Sequence, residues 1–234
     1  MALSTFPRSE SSHFFIFSFF SRAAMDIIIG QNNKAVAFLR NQEVSKASEA
    51  LSAALKCLRS LQCVAPHSMD CCDERYAHSD YLDRSMLLSK VDESNTEANN
   101  EEFIYRHGII LHSEVADADI ITTILLFNTA IAYHMLAIEQ RRHQVLQKAR
   151  RLYELAYNAC GDLDDNILFQ FVVINNIFII DRKLGNKKAM PNDCLAHLLS
   201  LFMILVDQGH EMHLRHVQGF LVNLPSTADA AVAA

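Results

Sequence analysis

The sequence predicts an all-α protein in which about three helix pairs stack into a helical-repeat array. Three observations carry that expectation. Leu125 to Asn158 reads as two packed helices with apolar stripes at spacings of three and four. The step from Ala149 to Tyr153 to Ala156 recurs earlier in the chain as Ala47 to Leu51 to Ala54. Gly 6 and Pro 4 among 234 residues are few for an all-β protein with many turns, and a hydrophobic fraction of 50% allows a sizeable core.

Taken in order, residues 1–24 carry the apolar run from His13 to Phe20 and are expected to be an unstructured extension ahead of Met25. The alternative is a targeting segment with Ala23 and Ala24 near a cleavage site; the run is too short to span a bilayer. The first helix pair starts at Met25, with Asn33, Ala35 and Phe38 on its first helix and Ala47, Leu51 and Ala54 on its second. Residues 63–102 are rich in Ser, Asn, Asp and Glu without a sustained period, and read as a disordered acidic insertion in the domain spanning 25–224. Deleting residues 66–100 should therefore leave the melting temperature nearly unchanged. Asp70 to Glu102 carries ten acidic and three basic residues, a charge of −7 against −6 for the whole chain. The remainder is nearly neutral, which argues against a dedicated nucleic-acid binder.

Phe103 to Leu111 is β-rich in composition and is expected as a short extended segment laid on the helices, or as a minor strand. Asp117 or Asp119 supplies an N-cap for the central helix, roughly Ile120 to Leu136, and its partner runs roughly from Val145 to Ala159. In the central pair Ala130 and Ala132 sit among Leu126, Phe127 and Tyr133, so a neighbouring helix can approach closely. Asp164 or Asp165 caps the next helix, which Gly185 ends. A further helix restarts at Pro191 or Asn192. Its stretch from Cys194 to Val206 is apolar nearly all round and should be buried. Gln208 to Leu224 is expected as a last helix, and residues 225–234 as a flexible tail.

The six cysteines (Cys57, Cys63, Cys71, Cys72, Cys160 and Cys194) show no C-x-x-C and read as reduced thiols of an intracellular, cytoplasmic protein. Cys57, Cys63, His67 and Cys71 have the residue types of a zinc site without its usual spacing.

Asn128, Ala130 and Tyr133, followed by Ala149, Tyr153 and Ala156, resemble the tetratricopeptide repeat, a helix–turn–helix unit of about 34 residues. The central copy departs from it by lacking Trp and by seven extra residues, IEQRRHQ in essence, that lengthen the inter-helix turn. Asn176, Leu184 and Gly185 resemble the first helix of a third copy. The layout as a whole, with FNTAIAYH, LQKARRLYELAY and NNIFIIDRKLGN, is also similar to a group of tetratricopeptide-like proteins of diatoms. The resemblance implies a right-handed α-solenoid and a non-catalytic scaffold binding a peptide segment of another protein in a concave groove. Asn33, Asn128 and Asn176 take equivalent places on the first helices of the three copies and would hydrogen-bond the bound peptide's backbone. Arg40, His134, Arg182 and Lys183 lie about two turns further along and would place positive charge there. The cation set of chaperone-tail binders is not matched, since Asn32 and Val172 stand where cations belong. The chain's own acidic loop is another possible occupant.

Two rival classes remain. His210, His213 and His216 step by three with Glu211 between them, giving H-E-x-H and a possible metal-assisted hydrolase. Arg141, Arg142, His143, Lys148, Arg150 and Arg151 form a basic cluster that RNA or an anionic lipid would contact, the other reading being a solvated turn or pairing with the acidic loop. No Gly-rich phosphate loop, no G-x-S-x-G and no pair of carboxylates on one face of a groove is present to suggest an enzyme or a cofactor.

Overall fold

A computed structural model describes residues 11–64, 81–88, 104–113, 115, 117–160, 166–185, 192–207, 220 and 223. Among these residues there are seven helices and no strand. They are α1 (Ser11–Arg40), α2 (Val44–Val64), α3 (Tyr81–Leu88), α4 (Ala118–Gln140), α5 (His143–Ala159), α6 (Ile167–Lys183) and α7 (Asn192–Asp207). α1 packs on α2, α4 on α5 and α6 on α7; α2 against α4 and α5 against α6 join the pairs in sequence. One apolar core runs through all of them. Its closest approaches use the small residues expected for them. Ala47, Ala54, Ala130, Ala132, Ala149 and Ala156 are completely buried, and Phe127 and Tyr153 fill the space between.

The central pair follows the sequence reading, with one correction. Asp117 caps α4 by accepting hydrogen bonds from the Asp119 N–H at 2.8 Å and the Ile120 N–H at 3.3 Å. The seven extra residues do not make a long turn. α4 continues to Gln140 and α5 begins at His143, leaving a two-residue turn in which Arg141 adopts the left-handed conformation at φ 53°. The turn of the first pair uses Gln42 at φ 61° in the same way. IEQRRHQ contains neither Gly nor Pro, so the helices simply lengthen through it.

Parts of the N-terminal extension and of the acidic insertion are helical, whereas residues 1–10, 65–80 and 89–103 lie outside the described residues. α1 starts at Ser11, upstream of Met25, because Ser11 to Ala24 contains no helix breaker. Within 63–102, Tyr81 to Leu88 forms α3 and packs against α6 with Leu82, Met86 and Ser85 buried. Asp83 does more than pack. Its carboxylate accepts hydrogen bonds from the Leu168 N–H at 3.0 Å and the Phe169 N–H at 2.8 Å. Asn166, at the N-cap position itself, makes no side-chain cap bond. A carboxylate more than eighty residues distant therefore caps α6 and complements its N-terminal dipole. An Asp83→Ala variant should lose about 2–4 kcal/mol in thermal or denaturant unfolding, because two buried N–H groups lose their acceptor. Deleting residues 66–100 should lower the melting temperature too, since it removes α3.

α7 starts at Asn192 as expected, but it is not buried all round. Leu198, Leu201 and Leu205 face the core, while Leu199, Met203, Ile204 and Val206 are exposed, Met203 by 63%. It is the outermost helix of the described stack and covers only one face. At α6, Gly185 has φ 67° and its N–H donates to the Arg182 carbonyl, the left-handed ending expected of a glycine. The tail expected at 225–234 lies outside the described residues. So does most of the helix expected over Gln208–Leu224, but Phe220 packs edge-on to Phe171 at 4.9 Å. The Asn223 amide donates to Asn175 at 2.7 Å.

Candidate functional site

Ile104 to Leu111 is extended and lies across the helices with no neighbouring strand among the described residues, so its backbone groups need side-chain partners. Three asparagines supply them. Asn176 on α6 accepts from the Tyr105 N–H at 3.1 Å and donates to the Tyr105 carbonyl at 3.0 Å. Asn128 on α4 makes the same pair with Ile109, both at 2.8 Å. Asn33 on α1 makes it with Leu111, at 2.8 and 2.7 Å. A carboxamide offers a donor and an acceptor side by side and matches the N–H and C=O of one extended residue. Alternate residues of an extended chain present these groups to the same edge. Positions 105, 109 and 111 share that edge, and the segment runs from α6 across α4 to α1.

A second row of amides holds the first. Asn32 donates to the Ile109 carbonyl at 3.0 Å and accepts from Asn128 at 2.8 Å. Asn175 donates to Asn176 at 3.2 Å, and Asn176 donates to the Tyr153 hydroxyl at 3.0 Å. Burial pushes the Tyr153 phenol well above its ordinary pKa, so it stays protonated. The segment also buries side chains. Ile104 packs with Phe178 and Ile179, and Tyr105 lies 6.3 Å from the Phe127 ring. Ile109 and Leu111 are almost wholly enclosed. Gly108 passes between α1 and α4, close to Val36, Leu39 and Asn128.

The three asparagines thus come together as one backbone clamp, and their occupant is the chain itself. The four cations expected beside them differ in their surroundings. Arg40 is exposed at the end of α1, and Arg182 and Lys183 are exposed at the end of α6, where cations complement the helix dipole. The Arg182 guanidinium sits 5.9 Å from the Phe178 ring centre. His134 is not a groove cation. It is fully buried edge-on to Tyr153 at 6.0 Å, with no hydrogen-bond partner on either ring nitrogen. Burial, with lesser contributions from Lys183 and Arg106, lowers its pKa to about 3, so the ring is neutral. Helical spacing alone does not say which side of α4 it takes.

Of the basic cluster at the central turn, Arg150 is committed to structure. It donates to Asp181 on α6 at 2.7 Å and pairs with Glu154. Arg141, Arg142, His143, Lys148 and Arg151 are exposed. Burial pushes the Cys160 thiol up to about 11 and raises that of Cys194, so neither is a ready nucleophile at neutral pH. His210, Glu211, His213 and His216 lie outside the described residues, as do Cys71 and His67. Among the described residues no group of three potential metal ligands converges. α4 is long and apolar enough to cross a membrane, and 67% of its most apolar window is buried against the rest of the fold.

In comparisons with family models, curated proteins and solved structures, nothing matches this chain. The site therefore rests on its own geometry. Sequence reasoning found the three asparagines but not their occupant. The signal for it was the run Ile104 to Leu111 itself, in which Arg106, His107 and Gly108 separate two apolar stretches whose Ile104, Tyr105, Ile109 and Leu111 are enclosed in the fold.

Proposed function

We propose that this chain is a non-catalytic interaction scaffold, a right-handed tetratricopeptide-like solenoid whose groove takes an extended peptide. Its own Ile104–Leu111 segment acts as the resident ligand, and a partner's segment exchanges with it. The observation that supports this most directly is the set of three asparagines, one per helix pair, each addressing the N–H and C=O of a single extended residue. Such contacts read backbone rather than sequence and are the means by which folded domains hold extended peptides.

The energies favour exchange over permanent fixation. Seven hydrogen bonds at about 1 kcal/mol each, the Asn32 bond to Ile109 included, and four enclosed side chains at about 2 kcal/mol each act against the ordering of eight residues at about 1.5 kcal/mol each. The balance is a few kcal/mol, within reach of local opening.

A Tyr105→Ser, Ile109→Ser, Leu111→Ser variant of the full chain tests the reading, since it empties the apolar seats and leaves the asparagines in place. A labelled synthetic peptide of residues 103–112 should bind this variant, read by fluorescence anisotropy. It should bind the unaltered chain far more weakly, because the tethered segment competes at an effective concentration on the order of millimolar. Loss of helical circular dichroism in the variant, or no binding to it, would make the segment a fixed part of the core and overturn the proposal.

A further inference from the structure

We infer that the groove selects its ligand by a glycine in fixed register, one residue before the central clamp. The inference rests on the peptide reading above and names the class of partner. It is an extended protein segment with an aromatic residue at the first clamp, glycine three positions on, and aliphatic residues at the second and third clamps.

Gly108 is buried between α1 and α4. A Cβ at this position would meet Val36 Cγ2 at 2.9 Å, Asn128 Oδ1 at 3.3 Å and Leu39 Cδ1 at 3.3 Å. The first distance is shorter than side chains tolerate. The second neighbour is the oxygen that accepts the Ile109 N–H at 2.8 Å, so any shift that makes room for a Cβ strains that bond. The third belongs to the same helix as the first, so the backbone is enclosed from α1 and from α4 at once. Gly108 is not among the residues with positive φ, so the requirement is space and not conformation.

The neighbouring positions divide cleanly. Tyr105, Ile109 and Leu111 are clamped through their backbone and enclosed through their side chains, whereas Arg106 is exposed and His107 and Ile110 are only half-buried. The backbone clamps alone would accept almost any extended chain. The Gly108 position turns them into a discriminating site, because every other residue type carries the Cβ that the space excludes. The α7 face bearing Met203 is apolar and exposed, but nothing in the fold identifies what would cover it.

The test compares labelled peptides of residues 103–112 with glycine, alanine or valine at position 108, on the triple-serine variant described above. The glycine peptide should bind at least about ten-fold tighter than the alanine peptide, with valine weaker still. Equal binding of glycine and alanine peptides would overturn the register while leaving the groove reading intact; binding of none would overturn both. A second measurement uses the unaltered fold. Gly108→Ala should accelerate hydrogen exchange at the 105, 109 and 111 amides relative to the amides of α4. Combining it with Val36→Ala, which removes the nearest obstacle, should restore most of the protection. Unchanged exchange in the single variant would overturn the proposal even if the triple-serine chain did not fold.

Discussion

Replacing Asn128 by alanine should cost about 2–3 kcal/mol of stability and lower the melting temperature by about 5–10 °C. The carboxamide is completely buried and serves three groups. It accepts from the Ile109 N–H, donates to the Ile109 carbonyl and donates to the Asn32 oxygen. The Ile109 carbonyl keeps its bond from Asn32, but the Ile109 N–H and the Asn32 oxygen would be left without partners inside the core. Unmet buried polar groups cost about 1–3 kcal/mol apiece, which sets the size of the effect. Asn33→Ala should cost less than half as much, because Asn33 is only half-buried and water can replace it at Leu111. Urea unfolding of both variants checks the order. A loss below about 1 kcal/mol for Asn128→Ala would mean that the network closes around the gap, and that the clamp does not hold the segment.

Acid should act on this fold through His134. The ring is neutral in the folded chain because its pKa is lowered to about 3, while in the unfolded chain it takes up a proton at about 6.5. Between those values the unfolded state binds more protons. The stability is thus fully present above about pH 6.5 and is lost as the pH falls towards 3. The gap corresponds to about 4–5 kcal/mol at its full extent and to about 3 kcal/mol by pH 4. Protonation would place a cation without a hydrogen-bond partner against Tyr153 and near Lys183 and Arg106. A His134→Leu variant removes this contribution. Urea unfolding of both proteins from pH 7 to pH 4 should show the difference between them shifting towards the variant by about 3 kcal/mol. Parallel curves would mean that His134 titrates normally and is hydrated.

Much of the fold was legible because local chemistry decides it. The alternation of small and bulky residues from Ala130 to Ala156 defines the α4–α5 pair, and Asp117 caps where an acidic residue precedes an apolar run. The asparagines could be aligned because they fall at one register position in three similar helices. What stayed hidden depends on contacts between distant parts of the chain. Asp83 looks like one acid among ten until it is seen at the start of α6. His134 sits where a groove cation was expected, yet its side of α4 depends on how α5 packs. Val206 and Met203 have the composition of a core, but an outermost helix has a neighbour on one side only.

The strap formed by Ile104 to Leu111 has a consequence for the order in which the chain emerges during synthesis. It leaves the ribosome after α1 and before α4 and α6, so the asparagines that hold its first two clamps, at Tyr105 and Ile109, arrive later than the segment they hold. Until Asn176 is made, the Tyr105 end of a β-prone run has an open hydrogen-bonding edge, the kind of surface through which nascent chains associate wrongly. Here a single covalent thread is fastened to the first, second and third helix pairs, so the assembly has a built-in signal of completion: the thread is fully seated only when the last pair is in place.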